Sequence, residues 1–218
     1  MNVFIVDDHP ITAEGYKNAL LSGHAPLLQP VFTMAHSCEM AYVEISRAID
    51  SQIGFDIAII DLNLPVFLER KLYSGKDVAA LIKSKMPHCK IIMITAHTEI
   101  LIIYDIIKEV CPEGLMVKND ITPEKLGIIV QDVFQGKLYQ SPLVEKCVKD
   151  IWKKELMVDD FNRQILMYLS KGFKVKDLCE VIHLSNSAIQ KRIIHMNKAF
   201  EVSDNAGLLK AAINEGFI

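Results

Sequence analysis

The chain has 218 residues, half of them apolar, with a mean hydropathy of +0.22 and a formal charge of −3. That length suits two domains that each bury a core, and no apolar stretch approaches the roughly 20 residues that span a bilayer, so no membrane segment is expected. Residues 1–140 carry 12 Lys and Arg against 17 Asp and Glu, whereas residues 141–218 carry 12 against 10, so the two halves are expected to meet different partners.

The N-terminus has no basic region followed by an apolar stretch and a small-residue cleavage site, and a secretory signal is not expected. Strand candidates then follow at Val3–Val6, Val31–Ala35, Asp56–Ile60, Lys90–Thr95 and Leu115–Val117. Helical periods fall between and after them, at about 11–22, 38–51, 76–86, 99–110 and 123–135. Five βα units in order predict a doubly wound, five-stranded parallel sheet with helices on both faces. The runs at 57–60 and 91–94 do not alternate, as expected of central strands covered on both sides. The fifth helix is well marked, with Thr122 as N-cap, Pro123 in the first turn and Gly136 beyond the end. The helix at 99–110 is apolar nearly all round (Ile100, Leu101, Ile102, Ile103, Ile106, Ile107), which predicts either a thick core contact or a face for a partner.

Past Gln140 the strand signal ends. Residues 139–157, with Pro142 and a charged helical stretch around Trp152, read as a linker, and the helical periods at 160–170, 175–182, 186–200 and 205–215 read as a small all-α domain. Ser185 and Asp204 are the expected N-caps, and Gly216 the final stop. The five cysteines, Cys38, Cys89, Cys111, Cys147 and Cys179, never stand as C-x-x-C, and a reduced, cytoplasmic protein without zinc is expected.

Ligands of an open parallel sheet bind beyond the carboxyl ends of its strands. Those ends carry Asp7-Asp8, Asp61, Thr95 and Lys118. Alone, each is ordinary: a solvated turn, a strand threonine, a surface lysine. Together, three carboxylates, a hydroxyl and an ammonium suit an incompletely coordinated Mg²⁺, which also takes a phosphate oxygen. A carboxylate held there is positioned to act as nucleophile on a phosphoryl group.

The segments Val6-Asp7-Asp8-His9-Pro10, Asp61-Leu62-Asn63-Leu64-Pro65, Thr95-Ala96 and Val117-Lys118 resemble the signature of receiver domains, and Asp-Asp-His-Pro resembles the NarL/LuxR-type (FixJ) two-component response regulators. The resemblance covers residues 1–138 and implies a flavodoxin-like sheet. It implies that Asp61 accepts the phosphoryl group from a sensor histidine kinase or a small donor. Asp8 would bind Mg²⁺ directly and Asp7 through water, with Asp61 and the backbone carbonyl of Asn63 completing the site. Thr95 would donate a hydrogen bond to a phosphoryl oxygen and Lys118 would pair with another. Three departures stand out. The glycine usually about eight residues past the acceptor is Gly75, fourteen past, so 66–74 holds an insertion that is either a lid, a kinase-recognition element or a tolerated surface loop. The aromatic that usually reports phosphorylation is Leu115. In the tail, residues 158–218 resemble a LuxR-type helix-turn-helix domain, with Ile165-Leu166, Gly172, Leu178, Ser185 and Ile189 on the family's structural positions, but its usual contact residues are replaced at Ala188-Ile189-Gln190, Arg192, Ala199 and Asn205.

On the helix 186–200, Ile189, Ile193, Met196 and Phe200 form one stripe and Ser187, Lys191, Ile194 and Lys198 the opposite one. Ser187, Gln190, Lys191, Arg192, Ile194 and Lys198 are therefore the candidate contacts to double-stranded DNA in a major groove, with a homodimer on paired half-sites. The whole then reads as a phosphorylation-switched transcription regulator, not a metabolic enzyme. The rivals are a constitutive DNA-binding regulator that has lost phosphorylation control, a module whose tail binds protein, and, more distantly, an α/β phosphohydrolase, whose D-x-D is absent around Asp61. Stimulus, cognate kinase, DNA site, regulatory sign and dimer face are not legible.

Overall fold

The computed structural model describes residues 1–22 and 30–218, apart from the side chains of Ile100, Leu101 and Lys154. It divides into two compact units, Met1–Cys147 and Val148–Ile218.

In the first unit β1 (Asn2–Val6), β2 (Val31–Ala35), β3 (Ile57–Asp61), β4 (Lys90–Thr95), β5 (Gly114–Val117) and β6 (Tyr139–Gln140) form one parallel sheet in the order β2-β1-β3-β4-β5-β6. The expected sheet had five strands; the structure has six. The added strand has two residues, too few to show a periodicity, and forms because the Tyr139 and Ser141 amides donate to the carbonyls of Glu113 and Leu115. The helices α1 (Pro10–Ser22), α2 (Cys38–Asp50), α3 (Gly75–Lys85), α4 (Ile100–Val110) and α5 (Pro123–Phe134) alternate with the strands, each close to its expected range.

Successive side chains of a strand point to opposite faces, and both faces are dry here. Val3, Ile5, Ile57, Ile59, Ile92 and Ile94 pack with Ala13 and Leu20 of α1 and Leu126, Val130 and Val133 of α5. Phe4, Ala58, Ile60, Ile91 and Met93 are equally buried on the other face, where α2, α3 and α4 lie side by side. Removing such an isoleucine side chain from water contributes about 2 kcal/mol each, so the long apolar runs decide the sheet. Of the apolar run on α4, Ile103 and Ile106 are buried and Ile102 and Ile107 half-buried, while Ile100 and Leu101 lie outside the described side chains. That favours the core contact over a bare partner face.

Caps follow sequence. Ser37 accepts from the Met40 amide, Thr122 from Lys125, and Ser74 with Asp77 makes a reciprocal capping box at α3. Gly136 ends α5 with φ near +90°, a conformation that favours glycine. The inserted loop 66–74 is folded. Phe67 and Leu72 pair as a small antiparallel bridge around a turn of 3₁₀ helix (Leu68–Arg70), and Phe67 and Arg70 both rest on the ring of Tyr42 in α2, at 5.9 and 4.9 Å.

The segment read as a linker holds β6 and nearly all of α6 (Pro142–Val158), a helix that the division between the two units crosses. The second unit is helical: α7 (Asp160–Ser170), α8 (Leu178–Ile182), α9 (Asn186–Ala199) and α10 (Asn205–Asn214). Its core joins Ile165, Leu166, Leu178, Ile182, Ile189, Met196 and Leu208. Ser185 and Asp204 cap α9 and α10 as expected, through the amides of Ala188 and Gly207.

Candidate functional site

Register brings the acids together. Val6 pairs with Ile60 across β1 and β3, so the next residues, Asp7 and Asp61, emerge side by side at the carboxyl edge of the sheet. This lies where the strand order turns from β2-β1 toward β3, the crevice in which doubly wound sheets bind ligands. Asp7 and Thr95 are fully buried and Asp61 is 5% exposed.

Lys118, just past β5, bridges the two carboxylates, its Nζ 3.1 Å from Asp7 Oδ2 and 3.2 Å from Asp61 Oδ2. Burial raises the pKa of the Asp61 carboxyl; Lys118 pulls it down, and the charges of Asp7 and Asp8 push it up again. Burial alone would depress the Lys118 ammonium, but Asp61 and Asp7 outweigh it and raise its pKa. Asp7 also accepts from the His9 amide through Oδ1 at 2.9 Å, and its carbonyl oxygen lies 2.8 Å from His36 Nδ1. The Thr95 hydroxyl oxygen accepts from the His97 amide at 3.0 Å, which leaves its own proton to donate.

Asp7, Asp8 and His9 place ligand atoms within 4.8 Å of one another. Asp8 Oδ1 is buried without a hydrogen bond; His9 Nδ1 sits 2.7 Å away but is not aligned to donate to it. An orphaned carboxylate oxygen beside two further carboxylates that share a single lysine fits a hard divalent cation and fits a soft metal poorly. Asp61, Thr95, Lys118, Asp7 and Asp8 are thus gathered at one edge. Asn63 is exposed beside them, with its side-chain Nδ2 3.1 Å from His97 Nε2.

Two neighbours escaped the sequence reading. His36 stands just beyond β2, the one strand end left unassigned, and asking of it the question put to the other four would have found it. His97 follows Thr95 by two positions, as Asn63 follows Asp61.

On the helical unit the candidate contacts separate. Ser187, Gln190, Lys191, Ile194 and Lys198 are exposed on one side of α9, which carries no acid, with Lys198 Nζ 5.8 Å from the Trp152 ring centre. Arg192 is elsewhere. Its Nη1 lies 2.9 Å from Asp159 and donates to Asn162 Oδ1 at 3.0 Å, and its guanidinium rests over Phe161. The geometry therefore gives Arg192 the task of tying α9 to the first turn of α7, and does not bring it to the exposed face.

No family model matches the chain. Curated proteins do. The probable transcriptional regulatory protein NarL of Mycobacterium tuberculosis is 23% identical across 99% of this chain and 94% of its own. The oxygen regulatory protein NreC of Staphylococcus epidermidis is 21% identical across 99% and 98%. Among solved structures, the response regulator RcsB of Salmonella typhimurium superposes with a TM-score of 0.58 at 22% identity, covering 98% of both chains. The chain is similar to NarL/LuxR-type response regulators over nearly its whole length. NarL is named as a transcriptional regulatory protein and NreC as an oxygen regulatory protein, neither as an enzyme. An RcsB–DNA complex superposes with a TM-score of 0.57. The response-regulator likeness runs through both units, because the matches span the parallel sheet and the helical tail alike. Among the described residues no helix is long and apolar enough to cross a membrane.

Proposed function

We propose that the protein is a phosphorylation-switched, DNA-binding transcription regulator of a two-component system, acting in the cytoplasm. Residues 1–138 serve as receiver, 139–157 connect, and 158–218 bind DNA. The observation that carries the reading is the Asp7–Lys118–Asp61 bridge at the sheet's carboxyl edge, beside the unsatisfied oxygen of Asp8.

Asp61 Oδ attacks the phosphorus of a phosphohistidine on a sensor kinase, or of a small acyl phosphate. The P–N or P–O bond to the donor breaks as the P–Oδ bond forms, and the leaving group departs with its electron pair. Asp7, Asp8, Asp61 and the Asn63 carbonyl are the groups that would hold Mg²⁺, which when bound would supply charge neutralisation at the phosphoryl oxygens. Lys118 turns from Asp7 to one phosphoryl oxygen and the Thr95 hydroxyl donates to another. The added charge shifts the population toward a dimer that reads paired half-sites with Ser187, Gln190, Lys191, Ile194 and Lys198 of α9. DNA and the dimer come to this chain by analogy with the RcsB structures solved with DNA.

The test is incubation of the full-length protein with Mg²⁺ and acetyl phosphate, reading intact mass and oligomeric state, with Asp61→Asn as control. One added phosphoryl group, absent from the control and accompanied by dimerisation, is expected. DNA binding that is indifferent to Asp61, with no phosphoryl uptake, would replace this reading by constitutive regulation.

A further inference from the structure

The residue that usually reports phosphorylation is Leu115, 1% exposed in the middle of β5 and unable to swing as an edge aromatic would. Another structure touches both loops that a phosphoryl group would move: the first two turns of α6. Four polar contacts fasten them and the Ser141 that precedes them. Asp120 ends the 3₁₀ turn that begins at Lys118, and its Oδ2 accepts from the Leu143 amide at 3.1 Å, capping α6 from outside its own sequence. Ser141, 1% exposed, donates its amide to the Leu115 carbonyl and accepts the Val117 amide on its hydroxyl at 3.2 Å. On the next turn, Val144 is fully buried and the Cys147 thiol lies 3.8 Å from the carbonyl of Thr98, in the loop that follows Thr95.

We propose that residues 141–147 form a strap that reads the state of the Asp61 pocket, with Asp120 relaying from Lys118 and Thr98 from Thr95. The inference rests on the receiver reading. In the structure Lys118 spans Asp7 and Asp61, and both loops hold the strap. When a phosphoryl group on Asp61 draws Lys118 and Thr95 to its oxygens, both anchors shift together. Hydrogen bonds weaken steeply with misalignment, and the cap neutralises orphan amides and the positive end of the helix dipole, so the strap loosens. The same helix runs on to Val158, so a change in its first turns alters the segment that leads to the tail. No swinging aromatic is required.

Hydrogen exchange on the full-length protein tests this, with phosphoryl uptake from acetyl phosphate and Mg²⁺ read by intact mass on the same samples. In the wild type, amides 143–147 exchange about fivefold faster once Asp61 is loaded, the factor expected for loss of one cap, while those of α2 are unchanged. In Asp120→Ala they exchange about that much faster before loading; the variant still takes up one phosphoryl group, and loading adds little more. Asp120→Asn, which keeps an accepting oxygen, lies between. Full uptake with unchanged exchange at 143–147, or a full loading response in Asp120→Ala, overturns the strap and leaves the receiver reading standing. Absence of uptake overturns the receiver reading and the strap with it.

Discussion

Lys118 Nζ stands 3.2 Å from Asp61 and holds a carboxylate that is 5% exposed beside a second that is fully buried. Two like charges at that depth tolerate each other because one cation is shared between them. Removing it leaves an uncompensated buried pair, a change that typically costs about 3 kcal/mol. Protonation of Asp61, whose pKa is already raised by burial, limits the loss. Lys118→Ala is therefore expected to lower stability by about 2 kcal/mol in urea unfolding without divalent ions. Millimolar Mg²⁺ should recover more stability in the variant than in the wild type, since the cation then does the lysine's work. Equal Mg²⁺ responses would show that the ion does not enter this crevice.

Gly75 opens α3 where the chain passes against the end of β3, donating its amide to the Leu62 carbonyl at 2.8 Å. A Cβ at this position would meet the carbonyl oxygen and carbon of Asp61, backbone atoms that cannot rotate away. Gly75→Ala must displace the acceptor residue itself. A loss of about 2 kcal/mol or more is expected, together with slower phosphoryl uptake from acetyl phosphate, whereas Gly54→Ala, whose Cβ meets nothing within 4 Å, should leave uptake unchanged.

Gly75 also shows why part of the site could be read from sequence. The glycine keeps its place against Asp61 although six extra residues precede it, because the insertion closes on itself through the Phe67–Leu72 bridge. The central strands were legible because Ile57–Ile60 and Ile91–Ile94 are too apolar for anything but a doubly covered sheet, and their ends locate Asp61 and Thr95. β6 was not, because two residues carry no period and their pairing is decided by β5. The inward turn of Arg192 was not legible either. Helical periodicity assigns a Cα to a face, but a long side chain goes where a partner is, and its partner Asp159 lies 33 positions earlier.

The insertion itself gives a third expectation. Phe67 and Arg70 both lean on Tyr42, and Lys71 sits beside them with φ near +55°. Tyr42→Ala removes the platform while leaving the sheet intact. Trypsin should then cut after Arg70 or Lys71 several times faster than in the wild type, with global stability lower by about 1 kcal/mol. Unchanged cleavage would mean that the bridge and the α3 capping box hold the loop without the aromatic.

Asp159 caps α7 through the amides of Phe161 and Asn162 and pairs with Arg192. Burial acts to raise its pKa, but the hydrogen bond from Arg192 and those from the two amides outweigh it and lower the pKa. A carboxylate depressed in the folded state contributes stability that is present above its unfolded pKa, about 3.9, and lost as pH falls through the folded value. The helical tail should accordingly lose stability below about pH 4. Asp159→Asn, which still caps, should flatten that acid limb, and Asp159→Ala should cost about 1 kcal/mol at neutral pH. Circular dichroism melts of the full chain between pH 3 and pH 7 separate the two variants.

On the DNA-binding reading, the separation of Arg192 from Lys191 and Lys198 can be measured through salt. Each phosphate neutralised by a cation adds about 0.9 to the slope of log K against log salt. Lys191→Ala and Lys198→Ala are each expected to reduce that slope by about one on genomic fragments. Arg192→Ala should leave the slope of the folded fraction unchanged while lowering the melting temperature, because its guanidinium is already paired with Asp159 and Asn162. A slope that falls with Arg192→Ala but not with Lys191→Ala would place the arginine on DNA and require the Asp159 contact to open on binding.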